Sequence, residues 1–197
     1  TELAAGIVSL DTSIRFWGVQ EAEHVGWSVA SAGDWDGDGI DDMLFGAPDR
    51  DVPTDDEGGV YLKLGSSLGW ESGSLEDSHV TMLGSEVDDK TGRYLKCIGD
   101  IDGDSRSDIL VTAHNSNYYL SKAGLSYGVL GGSVSGTITL LEDASFQLVG
   151  ESTNDYIARG IARAGDINED GLDDFWVGSS GASSQGKLYL LEGIGAP

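Results

Sequence analysis

Cysteine is almost missing from this chain: Cys97 stands alone, so no intrachain disulfide can form. Its apolar setting, Tyr-Leu-Lys-Cys-Ile, reads as a small buried filler rather than a redox or metal group. Basic residues are scarce as well, 11 Lys and Arg against 34 Asp and Glu, for a formal net charge of −23. A surface of that sign repels phosphate backbones, so nucleic acid is excluded as a partner. No apolar run approaches the roughly 18 residues needed to cross a bilayer. The chain opens on a polar Thr-Glu rather than a basic leader, so any signal peptide or anchor is expected outside this segment. What is present, 39% hydrophobic residues and 30 Gly in 197 residues, suits one domain rich in tight turns.

The acids are not scattered. Three loops share one pattern: Asp34-Trp-Asp36-Gly-Asp38-Gly-Ile40-Asp-Asp42, Asp100-Ile-Asp102-Gly-Asp104-Ser-Arg106-Ser-Asp108 and Asp166-Ile-Asn168-Glu-Asp170-Gly-Leu172-Asp-Asp174, each starting 66 residues after the last. Side-chain oxygens at positions 1, 3, 5 and 9, with the main-chain carbonyl of position 7 (Ile40, Arg106, Leu172), can converge on one hard cation, which describes calcium, about three ions per chain. An EF-hand needs Glu at position 12 and a helix on each side. Position 12 here is Phe45, Val111 or Val177, and apolar β-favouring segments flank each loop, so the loop joins two strands. Gly39 and Gly171 at position 6 permit a positive φ, whereas Ser105 in the second loop is expected to strain its turn. That loop also carries Arg106, so it is expected to be the weakest site. Without cations the crowded carboxylates repel one another, and ion binding should contribute directly to folding.

Other chemistry is sought without success. Gly124-Leu-Ser126-Tyr-Gly128 matches a nucleophile elbow, but Ser126 falls inside an expected strand with no helix following. Gly181 to Lys187 approaches a phosphate loop, yet Leu188 replaces the needed hydroxyl and a strand follows. His24, His79 and His114 lie in separate segments with no pairing for zinc or a triad and read as surface residues. Acid pairs such as Asp41/Asp42 would be held ionised by metal, which opposes glycosidase chemistry. The chain is not expected to be an enzyme.

The repeat extends beyond the loops. Strands are expected at 27–33, 93–99 and 159–165 before the loops, at 42–46, 108–112 and 174–178 after them, then at 59–65, 125–131 and 186–192, and finally at 80–84 and 146–150. The third unit lacks a fourth strand, and Ile14-Arg-Phe-Trp-Gly18 is of the missing kind. Four short antiparallel strands per unit make an all-β fold, a β-propeller of three four-stranded blades: 19–84, 85–150, and 151–197 completed by 1–18. Because propellers usually need about four to eight blades, three imply a half-ring or part of a larger ring, completed by a second copy in a homodimer or by blades of a longer chain.

These motifs resemble the FG-GAP repeats of integrin α-subunit propellers and of bacterial surface proteins across essentially the whole chain, with Gly33 to Asp42, Phe45-Gly-Ala-Pro48 and Gly59-Val-Tyr61 as the best match. Val25-Gly26, Thr91-Gly92 and Ile157-Ala158 depart from the family's Phe-Gly. The resemblance implies that calcium is structural and that ligands use the face opposite the calcium hairpins. That face comprises 19–25, 85–91 and 151–157 with 48–57, 113–124 and 179–185. Arg50, His114, Tyr118, Tyr119 and Tyr156 are the candidate contacts there for a protein or glycan ligand. Millimolar extracellular calcium would fill such loops, which places the module outside the cell or on its surface. The function implied is adhesion or ligand binding. The alternatives are the non-catalytic propeller of a secreted hydrolase or lyase, or a purely structural surface repeat.

Overall fold

A computed structural model of the chain describes residues 13–51 and 56–195. Strand β1 (Phe16–Trp17) comes first. It is followed by β2 (Ser28–Gly33), β3 (Asp42–Ala47), β4 (Gly59–Lys63), β5 (Gly73–Ser74) and β6 (Val80–Leu83). The next unit holds β7 (Tyr94–Gly99), β8 (Asp108–Ala113), β9 (Leu125–Val129), β10 (Gly136–Thr139), the one-turn α1 (Leu140–Asp143) and β11 (Phe146–Val149). Last come β12 (Ile157–Gly165), β13 (Asp174–Ser179) and β14 (Lys187–Leu191). Strands appear where β-branched and aromatic residues run between Gly and Asp turns, within a residue or two of the expected bounds.

Each unit is an antiparallel meander, β2-β3-β4-β6, β7-β8-β9-β11 and β12-β13-β14, and the set is a partial β-propeller. The register repeats with the sequence: Phe45 faces Tyr61, Val111 faces Tyr127 and Val177 faces Tyr189. A bulge interrupts the first two strands of each blade just before its acidic loop, at Ser31/Gly33, Cys97/Gly99 and Arg163/Gly165. That irregularity turns the chain into the loop.

The core lies between the sheets. Leu44, Val60, Leu62, Val80 and Met82 of the first blade meet Ile109, Val111, Leu125, Tyr127 and Val129 of the second. Ile98, Leu110, Phe146 and Leu148 of the second blade meet Ile157, Phe175 and Val177 of the third. Covered on both faces, β8 is buried along its whole length, whereas β14 is largely exposed, with Leu188 at 75%. The apolar residue at loop position 2 follows the same rule. Trp35 and Ile101 are buried against the next blade, and Ile167, with no next blade beside it, is half exposed.

Residues 14–18, expected to complete the third blade, lie elsewhere. β1 pairs in parallel with β5 beside the first blade, where Phe16 packs on Phe45 and Trp70 at 5.7 Å each. The outer side of β14 has no strand partner among the described residues, and the proposed remainder of that strand region, 1–12, lies outside them. The placement has a counterpart: β10, unforeseen in the sequence, pairs in parallel with β6 of the preceding blade. β5 stands to β1 as β10 stands to β6, so β1 holds the place of an outer strand in a blade before the first. Both connecting strands lead into a Leu-Glu-Asp turn, Leu75–Asp77 and Leu141 to Asp143.

One buried acid lacks compensation. Glu23, Asp89 and Asp155 occupy equivalent places before the three first strands, and all are buried. Glu23 accepts from the Tyr61 hydroxyl at 2.7 Å, and Asp155 from the Ser152 amide at 2.8 Å. Neither oxygen of Asp89 has a hydrogen-bond partner among the described residues. Burial pushes its carboxyl up to about 7; the nearby Ser116 hydroxyl offsets part of this, while Glu86 and Glu57 add to it. The folded form therefore holds the proton more tightly than the unfolded chain. Stability from this group is full below the ordinary carboxylate pKa near 4 and is lost as pH rises through about 7. We predict that Asp89→Asn stabilises the chain at pH 8, by about 4 kcal/mol at most, and that the gain disappears by pH 4. Parallel pH–stability slopes for the two proteins, measured by urea unfolding in constant calcium, would contradict this.

Candidate metal centres

The three acidic loops fold alike because each carboxylate is tied to main-chain amides of its own loop. Asp34 accepts from the amides of Gly37 and Gly39, both at 2.9 Å; Asp36 accepts from Asp38 at 3.1 Å and Asp38 from Ile40 at 2.8 Å. Asp100 accepts from Gly103 and Ser105, Asp102 from Asp104, and Asp104 from Arg106, at 2.7–3.1 Å. In the third loop Asp166 accepts from Asp170 and Gly171, Asn168 from Asp170, and Asp170 from Leu172. In the first two loops such Asx turns leave the second oxygen of positions 3 and 5 free of these amides, whereas in the third the single oxygen of Asn168 accepts from the Asp170 amide and Asn168 Nδ2 donates to Asp170 at 2.8 Å.

Position 9 is anchored most firmly. Asp42 accepts from Trp35 at 2.9 Å and from Gly65 at 2.7 Å; Asp108 from Ile101 at 2.8 Å and Gly131 at 2.7 Å; Asp174 from Ile167 at 2.9 Å and Gly193 at 3.0 Å. The glycine at the end of the third strand is thus part of each site, a role the sequence reading missed. A Cβ there would lie 2.4–2.6 Å from the position 7 side chain, Ile40, Arg106 or Leu172, so no other residue fits without displacement. The signal was visible as Gly65 and Gly131 at one repeat spacing.

Oxygens of Asp34, Asp36 and Asp42 lie within 4.8 Å of one another, and so do those of Asp100, Asp102 and Asp108. Ligands at 2.3–2.6 Å from a calcium ion stand at most about 5 Å apart, so each trio fits one ion. The third loop repeats the fold with an amide, Asn168, in place of one carboxylate. Burial pushes Asp42 above the usual carboxylate range and Asp108 up to about 7, against the lowering effect of their amide donors, and neighbouring acids add to the rise. A divalent ion would reverse that preference by favouring the ionised form.

The loops also join the blades. The amide of Ser107, loop position 8, donates to the Asp34 carbonyl at 2.9 Å, and the amide of Asp173 to the Asp100 carbonyl at 2.8 Å. Asp173 further accepts from the Asp100 amide at 2.9 Å and pairs with Arg163. Gly33 and Gly99, at φ +69° and +95°, allow this approach, since a Cβ would meet Ser107 or Asp173 at 2.2 Å.

Ser105 sits at φ 69°, the left-handed conformation expected to strain it. The third loop carries the same burden at a position not foreseen: Glu169 has φ 62° where the other loops have Gly37 and Gly103.

The residues singled out on the opposite face have varied surroundings. Tyr118 and Tyr119 are about half exposed and meet edge-on at 4.8 Å. Arg50 turns inward to the Tyr61 hydroxyl, 3.9 Å from Glu23. His114, read as a surface residue, is 3% exposed and meets Tyr94 edge-on. Tyr156 lies under the Arg159 guanidinium at 3.9 Å. The loops bearing them adjoin across blades, with Thr91 donating to Glu57 at 3.0 Å and Ile157 to Ala123 at 2.9 Å. Residues 52–55 of this face lie outside the described residues. Ser126, as its strand placement implied, is buried within β9.

No protein-family model matches the chain. It is similar to integrin alpha subunits, as the loop motifs indicated. It is 28% identical to integrin alpha pat-2 of Caenorhabditis elegans over 192 residues, 90% of this chain and 14% of that protein. It is 36% identical to integrin alpha-5 of Xenopus laevis over 105 residues, 50% of this chain and 9% of the relative, and 34% identical to integrin alpha-PS2 of Drosophila melanogaster over a similar stretch. The chain therefore spans a small part of the length of these curated relatives.

Replacing Ser105 by Gly should relieve left-handed strain of about 1–2 kcal/mol, partly offset by the freer unfolded chain. We predict a net stabilisation of up to about 1 kcal/mol in chemical unfolding with calcium present. A destabilised Ser105→Gly would show that the serine makes a contact outweighing its strain.

Proposed function

We propose that this chain is a calcium-binding β-propeller module for adhesion or ligand binding, working outside the cell or on its surface, with the ion in a structural role. The observation that carries the reading is the threefold repeat of one acidic hairpin, whose position 8 amide in the second and third copies is bonded to the preceding blade. An ion in that hairpin stiffens the seam between sheets as well as the loop. Asp34, Asp36, Asp38, Asp42 and the Ile40 carbonyl would hold the first ion. Asp100, Asp102, Asp104, Asp108 and the Arg106 carbonyl would hold the second, and Asp166, Asn168, Asp170, Asp174 and the Leu172 carbonyl the third. Similarity to integrin alpha subunits over 90% of the chain supports the adhesive assignment.

In this reading a protein or glycan ligand engages the face opposite the ions, with exposed Tyr118 and Tyr119 as its most accessible aromatic contacts. The open outer side of β14 and the outer-strand place held by β1 suit a ring completed by a second copy or by further blades of a longer chain.

Calorimetric titration should give three calcium ions per chain, two in Asp36→Ala, and EDTA should lower the melting temperature by ten degrees or more. Light scattering on the same samples reads the assembly: a calcium-dependent dimer supports closure by a second copy. A chain that binds no calcium and ignores EDTA would overturn the assignment.

A further inference from the structure

The few basic residues are not evenly placed. Trp27, Arg93 and Arg159 stand 66 residues apart and occupy the same position, the start of the first strand in each blade. The three strands concerned, β2, β7 and β12, are the inner edges of their sheets and lie side by side. Between Trp27 and Gly33, Arg93 and Gly99, and Arg159 and Gly165 there are four basic residues, Arg93, Lys96, Arg159 and Arg163, and no acid. In a chain of charge −23 this is the region with the opposite sign.

Arg163 is taken up by Asp173. Arg93 and Arg159 form no ion pair among the described residues. Each is held flat on an aromatic ring, Arg93 over Trp27 at 4.5 Å and Arg159 over Tyr156 at 3.9 Å. Stacking fixes the plane of a guanidinium while leaving its edge donors free for a carboxylate. The two arginines line one open groove of about 310 Å³, with Tyr94, Leu95 and Ile161. Two polar groups at this end also lack partners among the described residues: Arg159 Nε, and Nδ1 of His114, which is 3% exposed. Burial and the charges of Arg159 and Arg93 push His114 down to about 4, so the imidazole is neutral and the arginines supply the positive charge.

We propose that this groove, at the ligand-face end of the inner strands, binds an acidic side chain of a partner polypeptide through Arg93 and Arg159. The inference rests on the reading of this face as the binding face and names the chemistry it selects. Paired guanidinium edges suit a planar carboxylate, bonded in bidentate fashion. The walls favour a peptide over an anionic glycan: Trp27, under Arg93, is 53% exposed, and Leu95 and Ile161 offer apolar surface rather than hydroxyl partners. The remaining negative charge does not prevent this, because beyond about 8 Å charges are largely screened at physiological salt.

The test uses the whole chain in calcium and fluorescently labelled hexaglutamate, with hexalysine and sialyllactose as comparison probes. The expected result is saturable hexaglutamate binding, weakened tenfold or more by Arg93→Ala and by Arg159→Ala. Lys63→Ala removes one positive charge from the outer part of the first blade and should change binding less than twofold. Arg159→Lys keeps the charge, loses the fork, and should fall between wild type and Arg159→Ala; melting curves in calcium identify any variant that fails to fold. Equal losses in Lys63→Ala, or binding to hexalysine as tight as to hexaglutamate, would overturn the site. Saturation by sialyllactose without hexaglutamate binding would overturn the peptide assignment. Absence of binding to all three probes sinks this inference alone, because the calcium titration tests the wider functional reading separately.

Discussion

The amide of loop position 8, donated to the first carbonyl of the preceding loop, is the contact on which the arrangement of blades depends. It couples two things that are separate in most sheet proteins, the closure of a hairpin and the packing of one sheet on the next. The Asx turns fix the loop, the bulge before it aims the loop outward, and Gly33 or Gly99 removes the side chain that would hold the neighbours apart. Once two loops are joined, Trp35 or Ile101 is carried into the space between sheets, and burial of the interblade core follows. At the other rim, Thr91 to Glu57 and Ile157 to Ala123 close the seam from the opposite end. Each interface is thus pinned at both ends and filled in the middle.

Much of this was legible because the chain states it three times. Strand bounds, the bulk of the register and the burial of Ser126 in a strand all follow from the 66-residue period together with alternating apolar residues. The strained Ser105 was legible too, since a turn that uses Gly twice and Ser once betrays the conformation it requires. Features outside the repeat's average were not. β10 is a short Gly-Thr-Ile-Thr segment whose partner is in the preceding blade, and no local pattern announces a parallel neighbour. Glu169 gives no warning of its positive φ until the loops are overlaid at position 4. His114 is buried because blades meet over it, and Arg93 and Arg159 gain meaning only when their strands stand side by side.

Both rims of the structure carry acidic loops, and they differ in how their charged groups are arranged. At one end carboxylate oxygens crowd within 4.8 Å of one another, a concentration that a bound cation would relieve. At the other, two stacked arginines face a groove with no carboxylate paired to them. On the proposed reading, folding around metal and recognition of a partner fall to different rims of the same strand, which runs from Arg93 or Arg159 into the loop. In the proposed reading, ligand discrimination need not disturb the ion sites.

The central claim is that the acidic loops act as interblade latches. Amide hydrogen exchange at Ser107 and Asp173, followed with calcium and then with EDTA, tests it most directly. The latch account predicts slow exchange at both amides in calcium, and chelation should accelerate them together with β8, the strand buried between blades. Acceleration limited to the loops, with β8 unchanged, would show that the ions stiffen hairpins only and that the blades are held together by other means.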